Sequence, residues 1–300
     1  MATKSQNSSL RWIIIIGVLV VFVVGALFFR APKPHIQLAA EHIFTVGTIP
    51  GLGDFVITNT MIATWASMIV LIALSYFATR KMTAVPSGVQ NLMEAIIEAI
   101  AGFVESVAGK KHGPRIFNLV ATIFLFLLIS NWMGLLPGYE TIGLVENGEH
   151  GETIILPFLR PAATDLNTTL GLALISVAFT QIFGVKTIGA GNYIQRFFNF
   201  KAGPIGIFVG LLELVSEFAK IVSFSFRLFG NIFAGAVLLA VITFLVPWLA
   251  SLPFMALELF VGFMQALVFG FLTLVFCVIA VSEHEEHHHE EHEERVALGT

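Results

Sequence analysis

Residues 205–246 read IGIFVGLLELVSEFAKIVSFSFRLFGNIFAGAVLLAVITFLV. A membrane-spanning helix needs about 20 apolar residues, and this run is roughly twice that. At about 1.5 Å per residue it is far longer than a hydrocarbon core of about 30 Å is thick. It must tilt strongly, kink, or extend out of the bilayer. It also carries Glu213, Glu217, Lys220 and Arg227, side chains that are costly in hydrocarbon unless they face protein or water. Positions 213, 216, 220, 223, 227 and 231 step by three and four residues and so share one helical face. They are Glu213, Ser216, Lys220, Ser223, Arg227 and Asn231, a polar stripe on an otherwise apolar helix.

The rest of the chain is of the same kind. Further apolar runs occupy 12–29, 60–78, 117–136, 166–185 and 254–281. With 56% hydrophobic and 12% charged residues, against about 25% charged in soluble domains, the chain cannot cover a water-facing surface. It reads as an all-α, polytopic membrane protein. The run at 12–29, bracketed by Arg11 and Arg30, is longer than a signal peptide's apolar region of about 7–15 residues and is expected to be a retained span. Residues 90–108 place Leu92, Ile96, Ile100 and Phe103 at helical spacing between Glu94, Glu98 and Glu105, which predicts an amphipathic interfacial helix. A Pro- and Gly-marked loop is expected after the first span, and an acidic loop over 137–165.

Ten basic residues fall in the N-terminus and in the loops after the second and fourth spans: Lys4, Arg11, Arg80, Lys81, Lys110, Lys111, Arg115, Lys186, Arg196 and Lys201. Only Arg30, Lys33 and Arg160 fall in the loops on the other side. The positive-inside rule puts the ten in the cytoplasm, so six crossings leave both termini there. The net charge of −4 reflects seven acidic residues crowded between Glu283 and Glu294; the remainder has 16 basic and 13 acidic residues. No basic surface points to nucleic acid. Cys277, the single cysteine, excludes an internal disulfide and reads as a small buried hydrophobe.

Two ionisable residues stand out. Arg227 lies among Phe224, Phe226, Leu228 and Phe229 with no acid within four positions. Arginine stays charged in such surroundings. Snorkelling is the alternative, but the span continues well past it, so its partner carboxylate is expected from another helix or another chain. Glu258 and Gln265 are seven apart and share a face of the last span. Burial would disfavour the charged form of Glu258 and let it take up and give back a proton; the bland alternative is a wet residue near the helix end after Pro253. For Glu213, Glu217 and Lys220 the bland reading is mutual pairing near the aqueous boundary.

At these residues the chain resembles a known family. Residues 223–231, SFSFRLFGN, followed by Ala234 and Gly235, look like the signature of subunit a of rotary F-type ATP synthases. Residues 128–138, LISNWMGLLPG, and 164–170, TDLNTTL, resemble two more of its segments, and the matches run from about 58 to 284. The resemblance implies a stator beside a ring of c subunits, a b-subunit peripheral stalk, two long steeply tilted C-terminal helices, and two offset proton half-channels. About six membrane-embedded helices are then expected, with residues 1–58 as an extra span and extracytoplasmic loop, 59–285 as the membrane domain, and 286–300 as a charged tail in a protein of the bacterial inner membrane. By resemblance Arg227 is the essential arginine and Asn231 its helper amide. Glu258 and Gln265 belong to the inlet half-channel, with Asn131, Asp165 and Asn167 nearby. Glu213, Ser216, Lys220 and Ser223 belong to the cytoplasmic side. One departure is Ala236, where many bacterial members have an acid and mitochondrial members a histidine.

No cofactor or metal is expected, and no catalysis by the chain alone. His284 to His288 match H-E-x-x-H, but inside a run of almost nothing but His and Glu, where the pattern arises by chance; an intramembrane metalloprotease would need this tail to fold. A proton-coupled secondary transporter, using Arg227 and Glu258, would be expected to carry an internal repeat, and none is visible.

Overall fold

The computed structural model describes residues 37–49, 53–140, 142–147, 153–197, 203–245 and 251–297, with Gly17, and side chains as far as Val281. Apart from Gly17, the expected span at 12–29 lies outside the described residues. A hairpin of β1 (His42–Ile49) and β2 (Gly53–Thr58) leads into α1 (Asn59–Thr79) and α2 (Val89–Met133). A second hairpin, β3 (Gly143–Asn147) and β4 (Thr153–Pro157), and a 3-10 turn at Ala162–Thr164 precede α3 (Leu166–Ile188). The short α4 (Ala190–Phe197) is followed by the long α5 (Gly203–Leu245) and α6 (Ser251–Ala297). Among the described residues, five helices are long and apolar enough to cross a membrane, as an all-α polytopic architecture requires.

Three features differ from the sequence reading. Both expected outer loops contain antiparallel hairpins, β1–β2 and β3–β4. Segments such as His42–Ile49 are rich in β-branched and aromatic residues, which fit a pleated ribbon better than open loop. The amphipathic helix and the third span form one element broken at Gly109, where φ is 69° and ψ 169°. Glycine adopts that backbone without a Cβ penalty, and the chain folds back so that Gly113 approaches the Glu105 backbone. The amphipathic half buries Val104 and Ala108 against Ile116, Leu274 and Cys277, whereas Leu92 and Phe103 stay exposed. The last helix runs on through the His/Glu tail to Ala297.

The core lies where α2, α3, α5 and α6 meet. Ile123, Leu127, Ala173, Phe224, Leu228, Ile232, Ala266 and Phe269 form it. Buried hydroxyls stitch the same helices together: Thr169 with Ser225 at 3.2 Å, and Ser176 with Thr273 at 2.8 Å. In a low-dielectric bundle, such pairs satisfy groups that lipid cannot.

Candidate functional site

α5 and α6 run antiparallel. The rings of Phe224 and Phe269 meet with centroids 4.9 Å apart. Eleven residues further along α5, Gly235 faces Glu258, eleven residues back along α6. Glu258 is 8% exposed, and a Cβ at position 235 would overlap its carboxyl group. Glycine here makes a notch in one helix that an acid of the next one fills. The same register puts Gln265, half-buried, about level with Leu228, the residue after the arginine.

Arg227 is on another face. α5 turns Phe224, Ser225, Leu228, Ile232 and Gly235 inward and leaves Ser216, Ser223, Arg227 and Asn231 exposed. The Arg227 Nη2 donates to Ser223 Oγ at 3.4 Å, and among the described residues no carboxylate is paired with it. Eight residues separate Arg227 from Gly235, about 12 Å of rise and about 80° of rotation. The chain therefore keeps its buried acid and its exposed cation apart.

The remaining residues singled out in the sequence divide into three groups. Asn131 is 5% exposed and donates from Nδ2 to Gly262 O at 3.0 Å, so it joins the Glu258 helix. Asp165 sits at the N-terminus of α3, where its Oδ1 accepts from the Asn167 N–H at 2.9 Å and its Oδ2 accepts from the Thr60 hydroxyl at 2.8 Å. That is an N-cap with both oxygens engaged; the Asn167 residue is itself exposed. Glu213 and Lys220 lie along the N-terminal half of α5, remote from the notch. Lys220 makes the expected pair with Glu217 at 2.7 Å and also lies 4.7 Å over the Phe276 ring of α6.

Other contributors were not legible in the sequence. Arg160 lies 5.9 Å over the Phe233 ring and donates to the backbone carbonyls of Ala39 and Gln37 at 3.1 and 2.7 Å. Asn59, fully buried, donates to Glu41 at 3.2 Å. These contacts tie the segment before the first hairpin and the 153–161 segment to the N-terminus of α1 and the C-terminal half of α5. In this outer layer desolvation holds the Glu140 carboxyl above the usual carboxylate range, with Arg160 opposing and Glu41 adding to the shift. Burial, then Glu140, pushes the Tyr139 phenol up to about 12. Neither Arg160 nor Asn59 follows an apolar period, and their partners are 121 to 123 and 18 residues away. Among the described residues no three His, Cys, Asp or Glu side chains converge as a metal site.

These observations define a polytopic membrane protein with an exposed cation and a buried acid on adjoining long helices. Comparison with known proteins gives the same answer from outside. The family profile described as "ATP synthase A chain" matches residues 61–278. The chain is similar to ATP synthase subunit a of Mycobacterium marinum, 37% identical over 245 residues that cover 80% of this chain and 93% of that one. It is 38% identical over 229 residues to ATP synthase subunit a of Gloeobacter violaceus, covering 76% and 86%. It is 34% identical over 247 residues to ATP synthase subunit a of Syntrophobacter fumaroxidans, covering 81% and 92%. The chain belongs to the ATP synthase A chain family. It is a non-catalytic, multi-pass subunit of the bacterial inner membrane that serves proton transport in ATP synthesis.

Proposed function

We propose that the exposed stripe of α5 is the wall against which a ring of c subunits turns, and that two proton half-channels meet the ring on either side of Arg227. The observation that carries this reading is Arg227 itself: a permanent cation on an apolar, outward-facing helix surface, paired with no described carboxylate of its own chain. A charge in that position calls for an acid from another polypeptide. A ring carboxyl must be neutral in lipid, because a buried charge costs several kcal/mol. Beside Arg227 its ionised form is favoured, so the proton leaves on one side of the arginine and another arrives on the other. The fixed charge also blocks direct leakage between the half-channels.

Glu258, Gln265 and Asn131 form the extracytoplasmic inlet in this reading. Glu213, Ser216, Lys220 and Ser223 line the cytoplasmic outlet, and Asn231 assists the arginine. Asp165 frames the inlet by capping α3, with Asn167 at its rim. The glutamate in the Gly235 notch takes the place of the acid that Ala236 lacks. Both termini are cytoplasmic, and a peripheral stalk of b subunits holds the chain against the turning ring. Each charge that crosses contributes about 2.3 kcal/mol per 100 mV. The decisive test is Arg227→Ala in inverted vesicles. ATP synthesis and ATP-driven proton pumping are expected to vanish while the complex still assembles, and ordinary synthesis in that variant refutes the role.

A further inference from the structure

We propose that Trp132 is a positioning residue for Glu258, acting together with Asn131 to hold α6 by two backbone carbonyls; this rests on the inlet role given to Glu258 above. The two residues are consecutive near the end of α2. The Trp132 indole N–H donates to Leu259 O at 3.1 Å, and the Asn131 amide donates to Gly262 O at 3.0 Å. Leu259 directly follows Glu258, and Gly262 lies one turn further on. In a helix these carbonyls already accept from the N–H four residues ahead, but a carbonyl oxygen has a second lone pair, and the side chains use it.

Two anchors three residues apart on one helix do what packing alone does not. Apolar side chains tolerate small slides and rotations. A slip of α6 by a single residue would be about 1.5 Å of rise and about 100° of rotation, and would carry Glu258 out of the Gly235 notch. Hydrogen bonds to Leu259 O and Gly262 O are lost on either movement. The close approach is itself built in: a Cβ on Gly262 would come within 3.1 Å of the Asn131 Cβ. Asn131 is 5% exposed, so water does not compete for its bond.

The donor of Trp132 can be removed without its ring. Complete synthase in inverted vesicles is compared for wild type, Trp132→Phe and Glu258→Gln, with rates expressed per assembled complex. In Trp132→Phe, pumping and synthesis are expected to fall roughly threefold to tenfold, the scale of one lost hydrogen bond. The dependence of synthesis on the pH of the extracytoplasmic side is expected to be displaced. A wild-type rate and pH profile per assembled complex overturns the proposal, as does a loss confined to the amount of complex. If Trp132→Phe does not assemble, Gly262→Ala, which pushes Asn131 away, is expected to displace the same profile, and a wild-type profile there refutes the claim. Collapse of Glu258→Gln beside an unaltered Trp132→Phe sinks the positioning role alone. Wild-type pumping in Glu258→Gln sinks the inlet role and this proposal with it.

Discussion

Gly235→Ala is the perturbation that most directly questions the α5–α6 seam. The added Cβ would overlap the Glu258 carboxyl, but what it meets is the tip of a flexible side chain, not backbone. The fold can therefore yield by moving that tip. Overpacking of this kind costs about 1–3 kcal/mol, while Ala gains back up to about 1 kcal/mol over Gly in helix propensity. Net stability should change little. The penalty instead acts on the notch: about 1–3 kcal/mol against the seated pose lowers the ratio of seated to displaced carboxyl by about 5- to 140-fold, since about 1.4 kcal/mol is a factor of ten. The assay is ATP synthesis and ATP-driven pumping in inverted vesicles, normalised to assembled subunit. Synthesis per complex should drop within that range, and Gly235→Val should drop it further. Wild-type coupling in both variants, with normal assembly, would refute the idea that proton transfer needs Glu258 seated against α5.

Two further outcomes separate framework from channel at the outer end. Asp165→Asn keeps an acceptor for the Asn167 N–H and turns an amide N–H donor toward the Thr60 hydroxyl, which can accept it and donate to Thr58 Oγ1 3.0 Å away, so synthesis should stay within about twofold of wild type, whereas Asp165→Ala loses a helix cap of about 1 kcal/mol and leaves the buried Thr60 hydroxyl with Thr58 alone, lowering the amount of assembled subunit seen on immunoblots. The Tyr139 phenol, pushed up to about 12 by burial and Glu140, favours its neutral form when folded; stability from this group is full below its ordinary value of about 10 and is lost as pH rises through about 12. Tyr139→Phe should accordingly flatten part of the alkaline decline in the thermal stability of the purified complex, and an unchanged decline would count against it.

The helices were legible because their signals are local. Length and apolarity alone mark Asn59–Thr79, Leu166–Ile188 and Gly203–Leu245 to within about three residues of the bounds read from sequence. The three- and four-residue spacing correctly put Ser223, Arg227 and Asn231 on one exposed face. What escaped depends on pairs far apart in the chain. The break at Gly109 looked like one glycine among many, since a positive φ leaves no mark on composition. The hairpins were hidden because Gly and Pro near residues 47–53 read equally well as loop. Asp165 was placed near the inlet by resemblance; the partners that hold it, the Asn167 backbone and Thr60, were not visible in the sequence, and the second lies 105 residues away. Trp132 drew no reading of its own, because only the position of Leu259 O gives its N–H a meaning.

On the proposed reading, the notch also explains how one chain can contain both the ring-facing cation and an acid without neutralising itself. At 4 Å a unit charge pair is worth about 4 kcal/mol at an effective dielectric constant of about 20. That is enough for Glu258, were it beside Arg227, to compete with any acid brought by a partner. At about 12 Å along α5 the same expression gives about 1.4 kcal/mol, too weak to capture the guanidinium. Glu258 is 8% exposed and seated against Gly235, on a different face of α5 from Arg227. An extra Cβ at position 235 that drove the carboxyl toward the arginine would do more than loosen a contact. It would give Arg227 a resident partner, and the ring would meet a wall whose charge was already spent.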